Sequence, residues 1–246
     1  MKIDKRKLEI REETALKIVS TPKKKKGSME VQNLVKIISW NVRGLNRRDK
    51  RSIVNSLFES WKADIYCLQE SKLEGDVQSF VKQIWGFRWV IFGCLEASGS
   101  RGGILVLWDS RSWKGEVINV GSYSITVKFD AQAYNFSWHL IGVYAPHCRP
   151  ERRNVWWEVA ASRRSFDGPW VVCGDFNVTR FMEERRDISI ISRAMTEFSN
   201  FIENLELLDP PLLGGVFTWT RSNNSHIASR LDRFLFSFDW DESLGT

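Results

Sequence analysis

One apolar segment, residues 170–177 with the sequence WVVCGDFN, constrains the fold more than any other part of this chain. A short apolar run that stops at a glycine is typical of a strand buried on both faces of a sheet. Asp175 and Asn177 follow the run, at the end of the predicted strand, where loops commonly build sites. Asp and Asn are also frequent in ordinary turns, so this segment alone leaves both interpretations open.

The length of 246 residues, of which 43% are hydrophobic and 12 are Trp, fits one large domain better than two small ones. No apolar run approaches the ~18 residues that a membrane-spanning helix needs, so we expect no membrane association. The four cysteines are far apart and form no C-x-x-C pair. This spacing predicts buried thiols in a reducing compartment.

The positive charge is concentrated in the first 34 residues, which hold 10 Lys/Arg against 5 Asp/Glu. The remaining residues carry a net charge of only +1, so bulk charge does not indicate that the domain binds nucleic acid. We predict a basic, mobile tail over residues 1–34, with a short helix near Arg6–Val19, and one domain over residues 35–246. The tail lacks the apolar region of a signal peptide.

The tail contains the run Lys23–Lys26 directly behind a proline. Such a run resembles a nuclear-import signal, which a receptor recognises through charge. A solvated linker with no receptor would have the same composition, and both interpretations stay open. The predicted location is accordingly the nucleus or the cytoplasm.

Beyond residue 34, apolar periodicity predicts short strands and amphipathic helices. The predicted strands cover residues 35–40, 65–69, 88–92, 104–108, 115–120, 123–129, 136–144, 170–173, 216–219 and 230–236. The predicted helices cover residues 51–61, 78–85, 151–164 and 195–207, with a loop over 180–193. The glycines at 99–103 lack the spacing of a phosphate-binding P-loop and precede a strand rather than a helix.

Six polar residues each lie at or beside the end of a predicted strand. They are Asn41, Glu70, Tyr144, Asp175, Asn177 and Asp232. If the strands form a two-layer sandwich, these ends can converge on one rim. Carboxylate and carboxamide oxygens suit a hard cation such as Mg²⁺, which keeps several waters for a substrate phosphate to displace. The absence of a His/Cys cluster in the sequence disfavours zinc.

These residues fall in ordered motifs: SWNVRGL, LQESK, GVYAP, GDFN and RLDRFL. The set resembles the endonuclease/exonuclease/phosphatase superfamily, and most closely the apurinic-like endonuclease domain of plant LINE-type non-LTR retrotransposons. The loop SGSRGGI and the FTW at residues 217–219 strengthen the resemblance to that subfamily. It implies an α+β fold, a four-layer α/β/β/α sandwich of the deoxyribonuclease I-like type lacking its last strand.

The resemblance also implies a role for each matching residue. Glu70, with Asn41 nearby, would hold Mg²⁺, with Mn²⁺ as an alternative. Asp175 would act as general base towards the attacking water. Asn177 and Tyr144 would donate hydrogen bonds to the scissile phosphate. Thr218 matches a substrate-contact position of the family. Asp232 would orient the family's catalytic histidine.

That histidine belongs to a Ser-Asp-His strand, and no His follows Asp232 in this sequence. His139, His147 and His226 are expected to be surface or structural residues. We therefore expect a phosphodiesterase that nicks DNA but is impaired, since loss of a charge-stabilising group commonly costs ~10²–10³ in rate.

Three alternatives to an active nuclease remain open. The first is a catalytically impaired remnant of the same fold. The second is a noncatalytic nucleic-acid-binding module, in which the tail supplies phosphate affinity. The third, a phosphatase, is disfavoured by the retrotransposon-like motifs. The expected partner is DNA, with an import receptor as a further partner of the lysine run, and the expected state is a monomer.

Overall fold

The structure, a computed structural model, describes residues 15–20, 35–86, 88–99, 102–186, 190–221 and 224–244. Lys23–Lys26 and most of the predicted tail lie outside the described residues, so the import signal and the mobility of the tail stay predictions. No helix within the described residues has the length and apolarity needed to cross a membrane.

The structure contains twelve strands and five α-helices within the described residues, and most of them lie where the apolar periodicity predicts. The strands are β1 (Ala15–Ser20), β2 (Val35–Asn41), β3 (Ile65–Gln69), β4 (Val90–Leu95), β5 (Ile104–Asp109), β6 (Trp113–Val120), β7 (Ser124–Ala131), β8 (Ser137–Tyr144), β9 (Trp170–Asp175), β10 (Trp219–Arg221), β11 (Asn224–Ser229) and β12 (Asp232–Phe236). The helices are α1 (Arg48–Trp61), α2 (Val77–Trp85), α3 (Arg149–Ser165), α4 (Arg193–Asn204) and α5 (Phe238–Leu244), with a 3₁₀ turn at Met182–Glu184.

Two mixed five-stranded sheets dominate the structure, with the orders β1-β2-β3-β5-β4 and β12-β9-β8-β7-β6. In the first sheet β2 and β3 are parallel, and Asn41 lies beside Gln69 at their shared carboxyl end. In the second sheet β8 and β9 are parallel, and Tyr144 lies beside Asp175. The antiparallel strand β12 begins at the same edge, because its first residue, Asp232, pairs with Asp175.

Three apolar clusters divide the molecule into four layers. Side chains from both sheets, including Trp108, Trp138 and Val171, form the cluster between the sheets. Phe58 of α1 belongs to a second cluster, which joins α1 and α2 to the outer face of the first sheet. Phe198 of α4 belongs to a third, which joins α3 and α4 to the second sheet. The predicted α+β fold with four layers is therefore confirmed, as each sheet is apolar on both faces.

Gly174 permits the close approach of β9 to β8. Its φ is +144°, and a Cβ there would lie 1.9 Å from the carbonyl oxygen of Val143. Only glycine tolerates this backbone conformation and this contact together. The glycine that ends the apolar run thus allows Asp175 to emerge next to Tyr144.

The structure corrects four sequence predictions. Ala15–Ser20, at the end of the predicted helix near Arg6–Val19, is an edge strand paired antiparallel with β2. The strand predicted at 216–219 begins at Trp219, and Asn224–Ser229, where no strand was predicted, is β11 of the same hairpin. Helix α5 was not predicted, and its Trp240 is fully buried. In each case backbone pairing or burial against a distant segment overrides local propensity.

Candidate active site

The carboxyl ends of β2 and β9 meet where the two sheets pack together. The side-chain amide of Asn41 donates a hydrogen bond of 2.8 Å to Oδ2 of Asp175. The amide oxygen of Asn41 accepts the backbone N–H of Arg43 at 3.1 Å. Because both ends of the carboxamide are bonded, its orientation is fixed and the ends of both sheets are held together.

Asp175 is almost fully buried, with 6% of its surface exposed. Its Oδ1 accepts the backbone N–H of Asn177 at 2.9 Å. Burial raises the pKa of Asp175, whereas the hydrogen bonds from Asn41 and Asn177 and the charge of His147 lower it. A carboxylate with a raised pKa is a better proton acceptor than an exposed aspartate, so Asp175 is suited to general-base chemistry.

Asp232 is the cross-strand partner of Asp175 and is also buried. Burial, followed by the charge of Asp175, raises the pKa of Asp232 well above its ordinary value. Its Oδ1 finds no hydrogen-bond partner among the described residues. The structure therefore places a second carboxyl beside the first, and one oxygen of this second carboxyl bonds to no group of the described residues.

Glu70 and Tyr144 face each other across the two sheets. Glu70 follows β3 in the left-handed region, with φ of +53°, and its side chain is 19% exposed. Burial, then the charges of Glu70 and Asp175 and a hydrogen bond to Glu70, raises the pKa of Tyr144 above its usual range. The phenol accordingly stays protonated and able to donate a hydrogen bond at neutral pH.

Lys72 is a site residue that the sequence analysis did not single out. Its ammonium lies 2.9 Å from Oε1 of Glu70, forming an ion pair at the edge of the site. The signal in the sequence was the position of Lys72 in the motif LQESK, two residues after Glu70. A position two residues after the end of a strand does not determine the direction of a long side chain. The contact is therefore visible only in the folded loop.

The loop at Gly102 and Gly103 lies directly against Glu70 and Tyr144. The backbone N–H groups of Lys72 and Ser71 donate to the carbonyls of Gly102 at 2.7 Å and Gly103 at 3.3 Å. A Cβ on Gly102 would lie 2.8 Å from Cγ of Glu70 and 3.0 Å from Cε1 of Tyr144. Residue 102 must therefore be small, because the side chains of Glu70 and Tyr144 occupy the space around it.

Asn177 and Thr218 make contacts within the protein. Asn177 has a φ of +49°, and its side-chain amide donates to the carbonyl of Ala145 at 2.6 Å. Thr218 is 2% exposed, and its hydroxyl accepts the backbone N–H groups of Leu231 at 2.9 Å and Asp232 at 3.0 Å. Thr218 thus holds the start of β12, and its contact with substrate stays a prediction.

A buried ion network supports the strand that carries Asp232. It consists of Arg180, Glu184, Asp209, Arg230 and Arg233. The guanidinium of Arg233 is fully buried and pairs with both Glu184 and Asp209, the latter at 2.9 Å. The sequence pattern predicted a loop over residues 180–193 and did not indicate this network, because Arg230 and Arg233, the ion-pair partners of Glu184, are distant in sequence.

Comparison with known proteins identifies the family. The endonuclease/exonuclease/phosphatase family matches residues 38–240. The chain belongs to this family. The match includes Asn41, Glu70, Tyr144, Asp175 and Asp232, the five residues that converge on one rim. No curated protein sequence matches the chain.

Solved structures of other family-like proteins share the fold. The endonuclease domain of TRAS1, a telomere-specific non-LTR retrotransposon, is 15% identical, with 83% of this chain and 85% of that chain covered and a TM-score of 0.64. The AP endonuclease LMAP from Leishmania major is 16% identical, with 89% and 85% covered and a TM-score of 0.65. The 3′ phosphatase NExo from Neisseria, bound to a product DNA hairpin, is 20% identical, with 83% and 87% covered and a TM-score of 0.62.

Enzymes of the endonuclease/exonuclease/phosphatase family generally use divalent metal ions. Within the described residues no three His, Cys, Asp or Glu side chains form a metal-binding group. The donors available are the carboxylate of Glu70 and the amide oxygen of Asn41. This pair fits a hard cation that keeps most of its ligands as water. Lys72 occupies one carboxylate oxygen, so the cation would compete with an ammonium group.

Proposed function

We propose that this member of the endonuclease/exonuclease/phosphatase family hydrolyses phosphodiesters in DNA with Mg²⁺, as a nicking endonuclease of LINE-type retrotransposon origin. The hydrogen bond from Asn41 to Asp175 carries the proposal. It brings a buried carboxylate from one sheet to the metal-donor residues of the other. The retrotransposon origin is supported by the ordered motifs and by the fold shared with the TRAS1 endonuclease domain.

Glu70 and Asn41 would hold Mg²⁺, or Mn²⁺ in its place, and the cation would neutralise charge on the phosphate. Asp175 and the solvent carry the protons in the other steps. Asp175 accepts a proton from the attacking water as the water oxygen bonds to phosphorus. The bond from phosphorus to the leaving sugar oxygen breaks, and solvent supplies the proton that this oxygen takes up.

Tyr144 and Asn177 would stabilise the charge that develops on the phosphate oxygens. Tyr144 supports this role because its pKa is raised, so its phenol remains a donor. Asn177 is suited to this role because its backbone N–H is bonded to Asp175 and its side-chain amide is bonded to the carbonyl of Ala145. Donors held in advance of the reaction cost little reorganisation when charge develops.

We also propose that the rate of this chain is low, because no imidazole of the described residues bonds to Asp232. Its Oδ1 is buried without a described partner. Added imidazole should bond to this oxygen and raise the nicking rate several-fold in the native chain, but not in Asp232→Ala. Equal rates with and without imidazole would contradict the proposed cause of impairment.

Incubation of supercoiled plasmid with the protein and Mg²⁺ tests the proposed activity, because each nick converts a supercoiled plasmid to an open circle. The native chain should nick slowly, and Asp175→Ala and chelation of the metal should each abolish nicking. Nicking by Asp175→Ala at the native rate would refute the proposed base. Release of phosphate from a 3′-phosphorylated oligonucleotide, with intact plasmid, would favour a phosphatase instead.

A noncatalytic DNA-binding domain is the second candidate, and one contact favours it. The ammonium of Lys72 lies 2.9 Å from Glu70, where a cation is needed for catalysis. Binding of plasmid without cleavage by either the native chain or Lys72→Ala would support this alternative. Cleavage that appears in Lys72→Ala would instead show that the ammonium blocks an otherwise competent site.

The remaining assignments are proposals about partners and location. DNA is the proposed partner, as an NExo structure contains a product DNA hairpin. A monomer, import through Lys23–Lys26 and a nuclear location stay proposals, with the cytoplasm as the alternative. Replacement of the four lysines by alanine should abolish nuclear accumulation of a fluorescent fusion if the run is an import signal.

A further inference from the structure

Three arginines converge on one carboxylate where the start of α3 meets the start of α4. The guanidinium groups of Arg149 and Arg153 lie 2.6 Å and 2.7 Å from Oε1 of Glu197, and that of Arg193 lies 3.6 Å from it. Hydrogen bonds from Arg149 and Arg153 lower the pKa of Glu197 to about 2, so this carboxylate is ionised at neutral pH. One negative charge meets three positive charges, which leaves the cluster with a net charge of +2.

Two neighbouring tryptophans of α3 have opposite surroundings. Trp156 is partly buried, and its ring stacks on those of Phe198 and Phe201 at centroid distances of 5.2 Å and 4.6 Å. Trp157 has 69% of its surface exposed. Within the described residues its ring lies in none of the apolar clusters that form the core. The exposed ring is therefore free to stack on a planar ligand.

Trp157 lies on the same face of α3 as part of the arginine cluster. It follows Arg153 by four residues, and residues four apart are neighbours on a helix surface. Arg164 is seven residues further along, close to the same stripe, and is exposed. The outer face of α3 thus carries positive charge on both sides of an exposed aromatic ring.

The two carboxylates of α3 lie on another side of the helix. The hydroxyl of Tyr123 donates to Oε2 of Glu151 at 3.4 Å, and the backbone N–H of Tyr123 donates to Oε2 of Glu158 at 3.0 Å. Both acidic residues therefore face the turn between β6 and β7. Their negative charge is separated from Trp157 and Arg153, so the outer face of α3 attracts anions.

This face begins beside the candidate active site. The segment before α3 is bonded to the end of β9, since the backbone N–H of Ala145 donates to the carbonyl of Asp175 at 2.8 Å. Helix α3 begins four residues later, at Arg149. At 1.5 Å per residue, Trp157 lies ~12 Å along the helix from Arg149. A nucleic-acid strand that leaves the site towards α3 would meet the arginine cluster first and Trp157 next.

We infer that the outer face of α3 binds single-stranded nucleic acid, with Trp157 stacked on a base and Arg153 and Arg193 in contact with backbone phosphates. Basic groups beside an exposed aromatic ring are the combination that binds single strands, because unpaired bases offer their ring faces. The bases of a duplex are already stacked on one another, and an acidic peptide has no bases. The inference goes beyond the proposed function, since the surface lies outside the residues proposed for hydrolysis.

Binding is measured on the full chain in the presence of EDTA, so that no strand is cut. The probes are fluorescein-labelled oligo(dT), oligo(U) and a duplex of the same length, followed by anisotropy. We expect Trp157→Ala to raise the Kd for the single strands about tenfold, the effect of losing one stacked base. The Kd for the duplex should stay unchanged. Trp157→Phe, which keeps a ring, should recover part of the affinity.

Phe238→Ala is the matched control for the loss of an exposed ring. Phe238 is 59% exposed at the start of α5, where Asp239 and Asp241 make the surface acidic. This variant should bind the single strands with the native Kd. Equal free energies of unfolding in urea for the native chain and Trp157→Ala exclude an effect through folding.

The salt dependence of binding separates stacking from charge. Arg193→Gln removes one positive charge, and the slope of log Kd against log salt concentration should become shallower by about 0.7, as for one lost phosphate contact on a single strand. Trp157→Ala should weaken binding without changing this slope, because stacking releases no counterion. The basic tail is the same in all variants, so it does not contribute to these differences. An unchanged slope in Arg193→Gln would overturn the phosphate contact.

The remaining outcomes decide the identity of the ligand. A native Kd for both single strands in Trp157→Ala overturns the inference, as does an equal loss of affinity for the duplex. Weaker binding of only oligo(dT) or only oligo(U) supports the inference and identifies DNA or RNA. Fluorescein-labelled poly-glutamate that binds through Trp157 would instead make an acidic protein segment the ligand. Because binding is measured without cleavage, a failure to nick plasmid refutes the proposed function alone.

Discussion

Asp175 and Asp232 are direct partners across the antiparallel pair of β9 and β12, and both are buried. Burial, followed by repulsion from Asp175, raises the pKa of Asp232 well above its ordinary value. The folded state therefore binds a proton more tightly than the unfolded state does. Stability must fall as the pH rises above the unfolded pKa of Asp, about 3.9, because the carboxyl is then ionised more easily in the unfolded chain.

Asp232→Asn should accordingly stabilise the fold at pH 7 by about 1–2 kcal/mol, the usual scale for relieving an unsatisfied buried group. Urea unfolding at pH 7 and at pH 3 measures the difference between variant and native chain. The gain should shrink at pH 3, where the native carboxyl is protonated in both states. A variant that is less stable than the native chain at pH 7 would contradict this description of the pair.

The hydrogen bond from Asn41 to Asp175 predicts a loss of activity on Asn41→Ala. The variant removes a proposed metal donor and frees the carboxylate of Asp175. We expect nicking to fall by about 10²–10³-fold, as for removal of one preorganised polar group. Asn119→Ala is the matched control, because Asn119 is exposed on β6 and, within the described part of the chain, its side chain bonds only to Ser162. Its nicking rate should equal that of the native chain.

Gly102→Ala should reduce activity while leaving the fold intact. The added Cβ would push against Glu70 at 2.8 Å and Tyr144 at 3.0 Å, and both belong to the proposed site. A displacement of about 1 Å can cost ~10²-fold in rate. Gly215→Ala is the control, since no atom lies within 4 Å of its added Cβ. Equal nicking rates for both variants would show that the contact around Gly102 is unimportant.

Arg233→Met tests the ion network behind the site. The substitution leaves Glu184 and Asp209 with fewer partners in a buried place, and breaking such a pair costs about 3–5 kcal/mol. The free energy of unfolding, measured in urea, should fall by this amount. Arg47→Met is the control, because Arg47 pairs with Asp49 at the surface and its side chain is 78% exposed. That variant should change stability by less than about 0.5 kcal/mol.

Glu197 predicts an acid-sensitive contact between α3 and α4. Hydrogen bonds from Arg149 and Arg153 lower the pKa of Glu197 to about 2. A lowered folded pKa means that the contact stabilises the protein above the unfolded pKa of about 4.3 and is lost as the pH falls towards 2. Because the group is partly exposed, screening limits the contribution to about 1 kcal/mol.

The matched variants for this contact are Glu197→Gln and Glu203→Gln. Glu197→Gln should be less stable than the native chain at pH 7 and equally stable near pH 2. Glu203 is 65% exposed and lies 3.6 Å from Arg180, so its variant should behave like the native chain at both values. A pH-independent difference for Glu197→Gln would refute the electrostatic origin.

Local pattern was sufficient for the larger part of the fold. The apolar run at Ile65–Gln69 predicted β3 with the same bounds, and the periodicity of residues 78–85 predicted α2 to within one residue. Such patterns work because burial of one face repeats every 2 or 3.6 residues along a single element. The short segments did not follow local pattern, as the pairing of β1 and the hairpin at His226 show.

The candidate site was only partly accessible from the sequence. The pattern of polar residues after strands indicated Asn41, Glu70, Tyr144 and Asp175, because strand ends are the places where side chains can leave a sheet. It gave no information on Lys72, since contact with Glu70 depends on a left-handed loop. Contacts of this kind are set by separations in space, which short sequence windows do not contain.

The amino-acid sequence by itself determined most of the strands and helices, the family motifs and the residue types available for chemistry. Only the tertiary structure decided that Asn41 bonds to Asp175, that Asp232 is buried beside it, and that Arg149 and Arg153 meet at Glu197. The physical reason is the distance along the chain over which each effect acts. Periodicity and propensity act within a few residues, whereas burial, charge and hydrogen bonding act between groups that folding brings together.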